Sequence, residues 1–152
     1  KTAGLSNSGM AERMRIDSTG AMTRPNHPCF DVTTTGTNIS GTIIFNTVNI
    51  DNNSNYSTSN GRFTAPVAGS YLFYTMYIKQ NSTAVMRRRF DKNGASALGS
   101  RHIRLDSANQ YDHGSMTIII DLAAGDYVTV NQYAGTSHGG LEYEAFGGHL
   151  IG

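Results

Sequence analysis

The chain has 152 residues and a mass of 16.4 kDa, which suits one domain with a short appendage rather than two domains. Twelve Lys and Arg face eleven Asp and Glu, a net charge of +1, which argues against a general nucleic-acid binder. Gly, Thr, Ser and Asn supply 60 residues while charged residues are only 15%, so the composition favours an all-β protein rich in turns over water-facing helices.

A chain of this length can bury about 68–70% of its unfolded surface, enough for a core without disulfide or metal. The single cysteine, Cys29, excludes an internal disulfide. It reads as a small apolar residue at a strand start, the alternatives being an intermolecular bridge or a nucleophile. No apolar run approaches the ~18 residues of a membrane span. Lys1 opens no signal-peptide pattern, and the missing initiator Met is expected of a fragment or processed product.

Residues 1–28 are expected to form a lead-in or neck, and residues 29–152 a globular head. Within the lead-in, Arg13-Met14-Arg15-Ile16-Asp17 alternates briefly and is closed by Ser18-Thr19-Gly20, which predicts one short strand or turn. Pro25 and Pro28 should stop regular structure there. From Cys29 onward, strands are predicted at 29–33, 42–48, 62–65, 70–79, 84–92, 97–103, 115–122, 126–133 and 141–151, with turns between them as in a sandwich. Residues 51–60 should form a solvated loop. Asn93-Gly94 suits a tight primed hairpin turn, and Ala124-Gly125-Asp126 a similar one.

Two strands carry most of the information. Met116, Ile118, Ile120 and Leu122 share one face and should enter the core. In the 70–79 strand both faces are apolar: Tyr71, Phe73 and Tyr77 on one, Leu72, Tyr74, Met76 and Ile78 on the other. A two-layer sandwich covers only one of them, so a second subunit should cover the other.

The run Gly61-Arg62-Phe63-Thr64-Ala65-Pro66-Val67-Ala68-Gly69-Ser70-Tyr71-Leu72-Phe73 resembles the signature of the C1q/TNF-like globular domain. Phe30-Asp31-Val32, Ile43-Ile44-Phe45, Gly125-Asp126-Tyr127-Val128 and the closing Phe146-Gly147-Gly148-His149-Leu150-Ile151 match flanking family elements in order. The resemblance spans about residues 29–151. It implies a ten-stranded jelly roll that assembles as a homotrimer, often on a stalk, and acts as a binding head rather than an enzyme. Phe63, Leu72 and Met76 are expected to fill the core beside the Pro66–Gly69 turn. No collagen-like Gly-x-y repeat is present. The stretch Glu12-Arg13-Met14-Arg15-Ile16-Asp17-Ser18-Thr19-Gly20 instead resembles a segment of bacteriophage tail fibres.

The charges are segregated. Arg87, Arg88, Arg89, Lys92, Arg101 and Arg104 face only Asp91 between positions 87 and 104, and every charged residue beyond Arg104 is acidic, Glu142 and Glu144 among them. The family fold implies that the 84–92 strand and the last strand share a sheet, so some of these arginines should pair with those glutamates, within or between subunits. The alternatives are a solvated strip worth ~0–1 kcal/mol per pair, and arginines that bind an anionic polysaccharide. The expected trimer interface is Tyr71, Phe73, Tyr77, Arg87, Arg89, Glu144 and Phe146. Aromatic rings stack on sugars and polar loop groups bind hydroxyls, so the candidate ligand residues are Tyr56, Tyr111, His113, Tyr133, His138, Arg101 and Arg104.

The five histidines lack metal-ligand spacing, and no Asp-x-Asp-x-Asp loop suggests calcium, although a threefold axis could gather one His per subunit. No His-Glu-x-x-His or phosphate loop appears, so neither catalysis nor a cofactor is expected. The function expected is a trimeric tail-fibre head that attaches to a bacterial surface glycan, in the virion and without nucleic acid or membrane insertion. The alternatives are a structural trimerisation cap and a secreted pattern-recognition or adhesion protein.

Overall fold

A computed structural model describes residues 14–80, 85–97, 102–106, 109 and 111–152, and every described element is a strand or a turn. The lead-in supplies β1 (Arg15–Ile16) and β2 (Met22–Thr23). The head follows with β3 (Cys29–Thr33), β4 (Thr37–Thr42), β5 (Thr47–Asp51), β6 (Tyr56–Ser57), β7 (Arg62–Thr64) and β8 (Gly69–Ile78). After them come β9 (Met86–Lys92), β10 (Ala95–Ser96), β11 (Ile103–Leu105), β12 (His113–Leu122), β13 (Tyr127–Gly139) and β14 (Ala145–Leu150).

In the lead-in, β1 and β2 form their own antiparallel hairpin. Asp17 shapes its turn by accepting from the N–H groups of Thr19 and Ala21 and from the Thr19 hydroxyl. The head is a sandwich of two sheets. One has five strands in the order β12-β8-β14-β3-β5. The other has seven, with β10-β9-β13-β7-β6 as its path, β11 on β9 and β4 on β13. The described strands number fourteen rather than ten. Two belong to the lead-in hairpin, and short segments such as β6 and β10 are separate strands.

The alternation of β8 turns Tyr71, Phe73, Thr75 and Tyr77 toward the opposite sheet, where all four are buried. All six phenylalanines enter the same core. Phe30 stacks on Phe63 at 4.5 Å between centroids and meets Phe146 edge-on at 4.8 Å. Ile118, Ile120 and Leu122 of β12 are buried with them, and Met116 packs against the cluster, as their shared parity predicts. Leu72 and Met76, expected in the core, have the opposite parity and point outward. The signature residue Gly61 has φ +71° and lies so close to the backbone that a Cβ would sit 2.4 Å from the Ile43 carbonyl oxygen.

Two turns are tied together. Asn93 and Gly94 both have positive φ and join β9 to β10, as a primed hairpin turn requires. Asp126, beside the β12–β13 turn, accepts from Asn93 Nδ2, from the Ala123 N–H and from the Lys92 ammonium at 2.9 Å. The Asn93 amide, ahead of Lys92, holds the Asp126 carboxyl down at about 2. The stability this group contributes is therefore present above the usual carboxylate value and lost as pH falls through about 2. A carbon-detected NMR titration should show Asp126 still ionised at pH 3, and Asn93→Ala should move its midpoint upward.

Candidate functional site

The outer face of the five-stranded sheet is the larger surface of interest. Cross-strand registers place Ile50, Asp31, Gly147, Tyr74 and Thr117 in one row, Cys29, His149, Leu72 and Ile119 in the next, and Thr33, Ala145, Met76 and Ser115 in a third. Ile119 is 53% exposed, Ile50 50% and Met76 42%. The Tyr74 hydroxyl donates to Asp31 across Gly147, where a Cβ would lie 2.5 Å from the ring. Asn49 Nδ2 also donates to Asp31 at 2.8 Å, so the one carboxylate in these rows is already bonded. The face is largely apolar, and among the described residues no further layer of the chain covers it.

At one end of this face Ile78, Tyr111, His138 and Tyr143 line a cavity of about 290 Å³. The His138 ring stands edge-on to Tyr111 and to Tyr143, at 5.3 Å from each. Tyr111 has φ +66° and is held by its N–H to the Lys79 carbonyl, while the Lys79 N–H donates to the Asp112 carbonyl. Tyr143 sits in a turn in which its own N–H and that of Glu144 both donate to the Gly140 carbonyl. His138 Nδ1 donates to the Gly139 carbonyl at 2.9 Å. Two phenols and an imidazole around one cavity suit a ligand with both a flat apolar face and hydroxyl groups.

Ser137 and Glu144, chain neighbours of two cavity residues, turn the other way into the interior. There Arg88, fully buried, donates from Nη2 to Glu144 Oε2 at 2.7 Å and to Ser137 Oγ at 3.2 Å. Its Nε reaches Gln132 Oε1, and its Nη1 reaches Thr75 Oγ1 and the Met76 carbonyl. All five guanidinium N–H groups are thus used, and the cation also lies 4.2 Å from the Tyr77 ring centroid. Burial pushes the Glu144 carboxyl up against the opposing pull of Arg88, and pushes the Tyr77 phenol up as well. Among the described residues, Tyr77 Oη and Glu144 Oε1 have no hydrogen-bond partner.

Several expectations change. Tyr71, Phe73, Tyr77 and Phe146 cannot form a subunit interface, because each is fully buried within its own sandwich. Glu144 is buried too, so it is no interface residue, and the expected arginine–glutamate pairing is met within one chain, by Arg88. That pair crosses from the seven-stranded to the five-stranded layer, since β9 and β14 belong to different sheets. Arg87 and Arg89 lie on the outer face of the seven-stranded sheet, where Arg89 Nε bonds Asp91 at 2.7 Å.

Among the ligand candidates, Tyr56 is a core residue whose hydroxyl accepts from the Phe45 N–H, and burial pushes its phenol up to about 12. Tyr111 and His138 do come together, and exposed His113 pairs with Ile78 in the neighbouring strand register. Tyr133 lies elsewhere, between Arg89 at 4.9 Å and His102 edge-on at 6.0 Å. Arg104 is paired with Asp106 at 2.6 Å, and Arg101 falls outside the described residues. Tyr143 was missed because residues 141–151 read as one strand. Gly139-Gly140, both at positive φ, was the signal that a turn intervenes.

A model of the C1q domain matches residues 29–151, the whole sandwich. The chain belongs to the C1q-domain family. The same fold recurs in the globular domain of zebrafish complement 1qA, with TM-score 0.63 and 21% identity over 83% of this chain and 98% of that one. Murine APRIL gives TM-score 0.61 at 14% identity, covering 82% of this chain and 99% of its own. Eiger TNF from S. frugiperda gives 0.57 at 14%, covering 84% and 94%. C1q and TNF-type globular domains are generally homotrimeric, non-enzymatic binding modules and typically extracellular. No helix among the described residues of this C1q domain is long and apolar enough to cross a membrane.

Proposed function

We propose that this C1q domain is the homotrimeric attachment head of a bacteriophage tail fibre, and that it recognises a glycan on the bacterial surface. The observation that carries the reading is the bare apolar face of the five-stranded sheet, centred on Leu72, Tyr74, Met76 and Ile119, with the aromatic cavity at its end. Sister chains would cover that face, and the subunit interface is assigned to these residues in place of the inward set. Three copies of the Tyr111–His138–Tyr143 cavity would then act together on a repetitive ligand, raising avidity where each site alone is weak. The tail-fibre context is supported by the Glu12–Gly20 stretch, of which Asp17 and its neighbours form the tight turn of the β1–β2 hairpin.

The test is adsorption competition. The purified chain should block attachment of its parent phage to host cells. Tyr111→Ala or Tyr143→Ala should weaken that block by roughly fivefold to tenfold, the value of one lost aromatic contact. A folded trimer that neither binds the cells nor competes would leave the structural cap as the function.

A further inference from the structure

On the opposite layer, β13 keeps β9 on one side along most of its length, but on the other side its partner changes. Residues Tyr127 and Val128 pair with β7, and Asn131 and Gln132 pair with β4. The handover leaves a notch in the outer face of the seven-stranded sheet, a cavity of about 300 Å³ whose wall and floor include Thr42, Arg62, Asp91, Tyr127, Thr129 and Asn131. Among the described residues no aliphatic side chain lines it. The alternation of β13 sends Tyr127, Thr129 and Asn131 outward while Val128 and Val130 fill the core, so a polar floor is built into the strand period.

We infer that this notch binds one unit of a neutral saccharide through adjacent hydroxyl groups. Asp91, only 4% exposed, is the centre of the site. Its Oδ1 accepts from Arg89 Nε at 2.7 Å and its Oδ2 from Asn131 Nδ2 at 2.9 Å, which fixes both side chains. Each carboxylate oxygen keeps a lone pair, and Asn131 keeps one N–H and its carbonyl. A fixed carboxylate beside a fixed amide suits a pair of neighbouring hydroxyls, each of which can donate to one group while accepting from another. The Arg62 guanidinium lies 4.0 Å from the Tyr127 ring centroid, which holds a further set of donors on the wall. Thr42 and Thr129 add hydroxyls that serve in either sense.

The charges choose the class. An anionic sugar would approach a nearly buried carboxylate whose positive partner, Arg89, is already committed, while the other cation of the wall, Arg62, lies over the Tyr127 ring. Arg88 is spent on Glu144 and Arg104 on Asp106, so neither is left over for an anion-binding strip. A cavity of this size lies at the small end of ligand sites, room for one sugar ring rather than a long chain. The notch lies on the layer opposite the apolar face, so covering that face does not by itself close it.

The inference deepens the attachment reading and draws its biological sense from it, but sugar binding is measured separately. The whole chain would be titrated by ¹H–¹⁵N NMR with methyl α-mannoside, methyl β-galactoside and methyl N-acetyl-β-glucosaminide, with glucuronate as the anionic control. At least one neutral glycoside should shift the Asp91, Thr129 and Asn131 signals. Thr129→Val and Asn131→Ala should each weaken that binding about tenfold, the loss expected for one hydrogen bond. Thr129→Val keeps the side-chain shape, so its urea midpoint should equal that of the wild type. No shift with any of the three glycosides, shifts confined to the Tyr111 cavity, or glucuronate binding as tightly would each overturn the inference. Binding of the glycoside that Thr129→Val and Asn131→Ala both leave unchanged would overturn the inference as well. Wild type that binds the glycoside but no host cell would overturn the attachment reading alone.

Discussion

Glu144→Ala is expected to cost about 3–5 kcal/mol of folding stability, read as a lower urea midpoint at fixed protein concentration. The reason is what it leaves behind. Arg88 would remain fully buried between the sheets, with four of its hydrogen bonds intact and no counter-charge. A guanidinium does not shed its proton to escape that position. Glu144→Gln keeps the shape and an acceptor, so it should lose less, while still leaving the charge unbalanced. Replacing both partners, Arg88→Met with Glu144→Leu, should recover most of the loss, because apolar groups of similar size avoid the desolvation that the pair itself suffers. A Glu144→Ala chain that unfolds at the wild-type midpoint would mean that the charges meet solvent after all.

Ile119→Lys is expected to dissociate the assembly without unfolding the chain. Ile119 is 53% exposed on its own sandwich, so a lysine there costs the single chain little. Packed against sister chains, the same ammonium would be buried without a partner in every subunit, a penalty of several kcal/mol each time. Sedimentation should therefore show single chains at micromolar concentration, with the β-sheet circular dichroism unchanged. Val67→Lys is the matched control: Val67 is 46% exposed but lies off this sheet, so that variant should assemble normally. If both variants assemble alike, the five-stranded sheet is not the contact.

The sequence made the sandwich legible because its long strands β8 and β12 keep a period of two. Cys29–Thr33 is a strand with the bounds its residues predict, and the inward parity of Ile118, Ile120 and Leu122 is observed. The two apolar faces of β8 were equally visible, but parity alone does not say which one is inside. The answer lay in the bulk of the neighbours: Tyr71 and Phe73 join a cluster with Phe63, Phe30 and Phe146 that only the interior can hold. Arg88 had a readable signal as well. It shares its parity with Met86 and Phe90, so it had to point inward and find an anion there. That Glu144 was the anion depended on which sheet received β14, a matter of topology rather than of local pattern.

The candidate sites were less legible for a physical reason. Tyr111 and His138 stand 27 positions apart and meet only because Lys79 bonds to both neighbouring segments, through backbone pairing near Asp112 and a bridge to Ser137. The notch depends on where β13 exchanges β7 for β4, a register event that leaves no mark in composition. Tyr56 misled because it lies amid Asn and Ser residues, yet its ring is carried into the core by a two-residue strand.

The most direct measurement is sedimentation equilibrium on the wild-type chain across micromolar concentrations. Coverage of the Leu72–Tyr74–Met76–Ile119 face by sister chains requires a species of three 16.4 kDa chains that persists on dilution. A stable single chain of 16.4 kDa, soluble with that face bare, would contradict it.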